Sequence, residues 1–233
     1  MNSLNTVLSA PFPTPTLALT TSVAPENRAQ AYEFLAGIFL KEPTAEILSE
    51  LKSWAQVSAD EEIQILLAKI AREDSLLAAL KQEYYDLFFV PVSGRFVPPF
   101  ESAVISASRE EGEKTKFGSF WGLETAKVSD FYAHAEFRPE QLTVFEPLRQ
   151  INLPDHIGFE LAFMAYLCRW QARLESRGSA TTEIQAAQAS FLTRHLNRWL
   201  PLFAGDLGQT RQSGYYPYFT KIAQELCAQE ERS

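Results

Sequence analysis

The chain has 233 residues, 46% of them hydrophobic and 12% aromatic, a profile that excludes a disordered polypeptide and fits one generous globular domain or two small ones sharing a core. Its 29 acidic and 21 basic residues leave a net charge of −8. That balance argues against nucleic acid, whose binders cluster Lys and Arg, and suits a positively charged partner.

Residues 1–24 carry Leu4, Val7, Leu8, Phe12, Leu17 and Leu19, but no Lys or Arg precedes Arg28. Pro11, Pro13 and Pro15 would break an apolar helix. The segment reads as a flexible arm, neither a leader nor a packed helix, and is expected to be dispensable for stability and binding. The domain proper is expected over 25–230. No stretch reaches the ~18–20 apolar residues of a membrane span, so the chain reads as cytoplasmic.

From there the apolar spacing is helical. Tyr32, Leu35, Ala36 and Phe39 share one helix face, which should stop before Pro43. Thr44 is a candidate cap for a second helix bearing Ile47, Leu48, Leu51 and Trp54, and Ser58 with Glu61 makes a capping box before Ile63, Leu66, Leu67 and Ile70. A fourth helix carries Leu76, Leu77, Leu80, Tyr84, Leu87 and Phe88. Residues 91–118 then interrupt the pattern with Pro91, Gly94, Pro98, Pro99, Gly112 and Gly118. Long ordered connections of this kind often serve function.

A helix is expected from Leu123 to His134, followed by an irregular stretch, 136–154, with Pro139, Pro147 and Pro154. Asp155 reads as the N-cap of the most apolar helix. There Ile157, Leu161, Met164 and Cys168 line one side, with Phe159, Phe163, Tyr166 and Trp170 on others. A helix apolar nearly all round is central in a bundle. Two more helices are expected, one with Phe191, Leu192, Leu196 and Trp199 after a Thr182/Gln185 capping box, and a last with Phe219, Ile222, Ala223 and Leu226. With no alternating strand pattern and no hairpin signal, the fold class is all-α, a single bundle of about eight to ten helices.

Motifs for chemistry are sparse. The sequence has no dinucleotide or phosphate loop (Gly205-Asp206-Leu207-Gly208 is too short) and no zinc-protease or cysteine-rich metal pattern. Cys168 and Cys227 read as buried thiols in a reducing compartment. His156 and Glu160, four apart, have the spacing of two metal ligands but lack further ones. Asp155 beside His156 fits either acid–base chemistry or a helix cap with a first-turn histidine. The cluster Tyr84, Tyr85, Leu87, Phe88, Phe89, Phe96, Pro98, Pro99 and Phe100 is, on physics alone, either core or the wall of a peptide groove.

In order, the runs Glu83-Tyr84-Tyr85-Asp86-Leu87-Phe88, Pro98-Pro99-Phe100-Glu101-Ser102 and Pro154-Asp155-His156-Ile157-Gly158-Phe159-Glu160-Leu161 resemble the TorD/DmsD/NarJ family of redox-enzyme maturation chaperones. So do Phe191 to Leu200 and Tyr215 to Phe219. The resemblance spans about residues 28–230. It implies a non-catalytic, all-helical cytoplasmic chaperone with no cofactor of its own. Its partners would be the twin-arginine signal peptide and the body of a molybdenum-dependent oxidoreductase, whose export waits for cofactor insertion. Monomers and domain-swapped homodimers both occur in such a family, and the proline-rich 136–154 stretch is a candidate hinge.

The resemblance assigns peptide binding to Tyr84, Leu87, Phe88, Pro99, Phe100, Glu101, Ser102, Asp155 and His156. Physics agrees in kind. Arginine prefers bidentate carboxylate partners, which Asp155 and Glu101 supply, and the peptide's apolar stretch needs an aromatic wall. Pairing with Asp155 would give His156 a pH sensitivity near neutrality. Two other readings stand beside this one: an acid–base enzyme using Asp155/His156 with Glu160 or Ser102, and a structural subunit that stays with a redox enzyme.

Overall fold

The computed structural model describes residues 24–57, 61–70, 76–210 and 213–230. Residues 1–23, Ser58 and the side chains of Trp54, Leu67 and Ile70 lie outside that description. So do the arm expected at the N-terminus and the Ser58/Glu61 capping box.

The helices in chain order are α1 (Pro25–Leu40), α2 (Ala45–Val57), α3 (Glu61–Ile70), α4 (Leu76–Phe88), α5 (Glu101–Ile105), α6 (Leu123–His134), α7 (Glu146–Ile151), α8 (Ile157–Ser176), α9 (Thr182–Phe191), α10 (Asn197–Gly208) and α11 (Tyr215–Glu230). A π-helical turn, Leu192–Leu196, joins α9 to α10 without a break, so 182–208 is one continuous helical rod. Among the described residues no strand forms, and only two isolated bridges occur, Phe100 with His156 and Ser108 with Lys116. No described helix is long and apolar enough to cross a membrane.

The bundle is organised around α1 and α8, which pack along each other. Both are buried on most sides, α1 through Tyr32, Leu35, Phe39 and Leu40, α8 through Ile157, Leu161, Met164 and Cys168. Each large apolar side chain taken out of water contributes about 1.5–3 kcal/mol, so this pair anchors the core. The two meet most tightly at Gly158. A Cβ there would stand 2.5 Å from Leu40 Cγ, so only glycine permits this approach.

Around the pair lie α4, α10 and α11. Tyr84 donates its hydroxyl to Phe39 O (2.9 Å), and its ring lies 5.5 Å from Phe88 and 6.0 Å from Tyr216. Tyr84, Leu87 and Phe88 of the aromatic cluster are therefore core, while Tyr85 is half-buried. Thr44 accepts from Ile47 N (3.3 Å), as a cap of α2 should.

Two short helices interrupt stretches that the sequence presents as irregular. α5 has five residues and α7 six. Pro147 reads as a breaker, yet it occupies the first turn of α7, where its missing N–H would have no partner anyway. Asn152, left-handed at φ 48°, ends α7.

Candidate functional site

The two irregular junctions meet in a buried seam. The Phe100–His156 bridge is closed by Glu101 N donating to Asp155 O (2.9 Å) and Ile157 N to Pro99 O (3.0 Å). Asp155 does not cap α8, contrary to the sequence expectation. Its carboxylate accepts from Ser102 N (2.9 Å) and so caps α5 across the seam. The cap of α8 is His156, whose Nδ1 accepts from Gly158 N (3.0 Å). Ser102 in turn accepts at Oγ from Thr125 N (3.2 Å) and shares a bond with Thr125 Oγ1 (3.0 Å), capping α6. Three helix starts are thus satisfied by side chains of the two motifs, two of them from outside the helix they serve.

Glu101 extends the seam inward. Its Oε2 accepts from His195 Nδ1 (2.7 Å) on the π turn, and Arg198 Nη1 lies 3.8 Å from its Oε1. Arg198 also bonds Glu124 (3.2 Å). Glu160, one turn into α8, accepts from Trp199 Nε1 (3.0 Å).

Burial decides the electrostatics. Desolvation raises the pKa of Glu101 against the pull of His195, raises Asp155 against its backbone bonds, and raises Glu160 well above the carboxylate range. It pushes His156 down to about 3. His156 is therefore a neutral hydrogen-bond acceptor. It does not pair with Asp155, and the expected pH sensitivity near neutrality is not there.

All nine residues expected to bind peptide are buried. Pro99, Phe100, Glu101, Ser102, Asp155 and His156 come together in the seam, with Phe100 5.2 Å from the His156 ring. Tyr84, Leu87 and Phe88 lie apart, in the α1–α4–α11 core. The metal-ligand spacing of His156 and Glu160 is likewise spent on Gly158 and Trp199. Ligand atoms of Glu101, Glu124 and His195 do lie within 4.8 Å of one another, but the Arg198 guanidinium already supplies a cation there.

An open groove lies on the far side of His195. It encloses about 1340 Å³ between α6, α8, α9 and the π turn. Phe131, Phe163, Leu167, Trp170, Leu174 and Ile184 form its apolar walls, and Lys127, Asp130, Glu183, Arg194 and Arg198 stand among its charged residues. Trp170 is 40% exposed. None of the nine expected residues lines this groove, but Glu101 holds His195, which does. The available signal was a second stripe on α8. Phe163, Leu167, Trp170 and Leu174 recur at i, i+4, i+7 and i+11, a face not needed for packing on α1.

An all-helical bundle with a sealed polar seam and an open apolar groove is the frame of a helical binding protein. A family model described as nitrate reductase delta subunit matches residues 40–205. Chaperone protein TorD of Colwellia psychrerythraea is 26% identical, over 86% of this chain and 88% of its own length. Chaperone protein TorD of Vibrio cholerae is 25% identical over 88% and 91%. The selenate reductase assembly chaperone protein of Thauera selenatis is 34% identical over 34% of this chain and 40% of its own. No solved structure matches. The chain belongs to the TorD/DmsD/NarJ family of redox-enzyme maturation chaperones.

Proposed function

We propose that this chain is a cytoplasmic chaperone, without catalytic activity, that binds the twin-arginine signal peptide and the apoenzyme of one molybdenum-dependent oxidoreductase. It holds back export while the cofactor is inserted. The groove carries this reading. At about 1340 Å³ it exceeds the roughly 300–1,000 Å³ of a small-molecule site and suits an apolar peptide segment. Asp130 and Glu183 among its charged residues are carboxylates of the kind that pair with guanidinium groups. The net charge of −8 speeds encounter with a basic peptide, less so as salt screens it.

Within this reading the seam residues act at one remove, while Tyr84, Leu87 and Phe88 serve the core. Asp155, Ser102 and Glu101 set the positions of α5, α6 and the π turn, and so the width of the groove. The acid–base reading loses support because Asp155 and His156 are sealed from solvent and committed to helix caps.

The test is calorimetric titration of a synthetic peptide, two adjacent arginines followed by an uncharged leucine–alanine stretch, into the protein. A Lys-Lys version runs in parallel. Binding that weakens several-fold with Lys-Lys supports the reading. Equal binding, or none, contradicts it.

A further inference from the structure

Residues 1–23 contain no Asp, Glu, Lys or Arg, yet they include Leu8, Phe12, Leu17, Leu19 and Val23. α1 begins directly after them, at Pro25. Its first turns are pinned to α8 and α9, the helices that supply two of the groove's walls. Glu26 and Glu33 both pair with Arg169, the neighbour of Trp170. Arg28 donates to Gln188 Oε1 (2.5 Å), next to Ala187, and to Cys168 Sγ (3.2 Å). Trp170 and Ala187 both line the groove.

α1 packs on a different face of α8 from the groove, but Arg169 and Trp170 line one surface hollow, so chain preceding Pro25 reaches the groove by passing round a single helix, about 10 Å across. Extended chain reaches about 3.3–3.6 Å per residue, so residues 17–23 alone span about 25 Å. That approaches the ~30 Å length of a twenty-residue helix such as α8.

We propose that this uncharged segment, centred on Leu17 and Leu19, docks in the groove of its own chain and competes there with the client's signal segment. The docking rests on the groove and the tether. The competition rests also on the function proposed above. Leu17 and Leu19 cover the exposed Trp170 ring, but the segment has no cation to offer Asp130 or Glu183. Only an arginine-bearing peptide satisfies both the apolar walls and those carboxylates, and that difference is what lets it displace the arm. A short tether gives a local concentration on the order of millimolar, so an arm that binds with a Kd of about 0.1 mM is docked about 90% of the time. It would raise the apparent Kd of a competing peptide about 10-fold. This departs from the sequence expectation of a dispensable arm, and the departure comes from where α1 begins.

The experiment uses the full chain. Cys168 and Cys227 are both buried, and burial pushes the Cys168 thiol up to about 12, so a benzophenone maleimide added to Leu17→Cys labels the arm. On illumination the expected product is a crosslink within one chain, to α8 near Trp170 or α9 near Ile184. In parallel, the twin-arginine peptide is titrated into the parent and into the doubly substituted Leu17→Asp, Leu19→Asp chain, which should bind it about 10-fold tighter. Crosslinks outside the groove, or between two chains, overturn the docking. Equal affinities overturn the competition. Crosslinks in the groove with no peptide binding by either chain leave the docking standing and remove the client reading. Peptide binding without groove crosslinks does the reverse.

Discussion

The seam and the groove are built from opposite kinds of sequence. The seam gathers the densest motifs in the chain, Pro-Pro-Phe-Glu-Ser and Pro-Asp-His, and buries every residue of them but Pro154, which is half-buried. The groove is lined mostly by residues spaced as ordinary helix faces, with only Thr193, Arg194, His195 and Arg198 drawn from a family-like run, and it stays open. The difference teaches that a motif can mark where a fold is tied together and not where it meets a ligand. Most polar groups buried at a junction need a partner, and the seam supplies one to each of its carboxylates through at least one oxygen, so their identities and order are tightly constrained. A groove wall needs only apolar bulk at helical spacing, which any core helix also shows.

The largest expected effect probes the core that both regions share. Leu161→Ala on α8, fully buried, should cost roughly 2–5 kcal/mol in denaturant unfolding. A near-neutral result would remove α8 from the centre of the bundle. Next comes the seam's close approach. Gly158→Ala forces Leu40 aside and should cost about 1–3 kcal/mol, whereas a neutral Tm would show that α1 and α8 are free to part there.

The seam also sets the pH response. The His156 ring has its pKa near 3 when folded, against an ordinary value of 6.5. Between those two values the unfolded chain binds a proton that the folded chain does not. Stability therefore falls as pH drops through that window. His156→Asn keeps a cap acceptor for Gly158 and should flatten this acid limb. The raised carboxyls act in the opposite sense. Glu160 contributes stability that is full below the ordinary carboxylate range and lost as pH rises through its elevated folded value. Glu160→Gln, which leaves Trp199 an acceptor, should raise Tm at alkaline pH and leave it unchanged at pH 4. Unaltered pH curves for both variants would mean that the seam is open to water.

Much of the fold was legible in the sequence. The bounds of α6 fall at the expected Leu123 and His134, and α4 ends before Pro91 as its apolar stripe does. The short helices were not legible. α5 and α7 hold five and six residues, too few for a periodic signal, and α5 is capped by an aspartate 53 positions away. For the same reason Asp155, next to the start of α8, reads locally as that helix's cap. His195, between Arg194 and Leu196, carries no local sign of a buried carboxylate partner. Its bond to Glu101, 94 positions distant, depends on a π turn that has no sequence signature. The groove escaped because Trp170 looks like more core on an all-apolar helix, and only the tertiary arrangement, which buries Phe163 and Leu167 on the same face, leaves Trp170 exposed.

The most direct test of the division between the two regions is a matched pair of peptide titrations. Trp170→Ala removes a groove wall that is 40% exposed, and Asp155→Asn removes a buried charge while leaving Ser102 an acceptor. Both variants should fold, and thermal unfolding verifies it. The account predicts about a 10-fold or greater loss of affinity for the twin-arginine peptide in Trp170→Ala, a hot-spot-sized effect of about 1.4 kcal/mol or more, with affinity unchanged in Asp155→Asn. A tight-binding Trp170→Ala beside a non-binding Asp155→Asn would contradict it, and would make the seam the binding site.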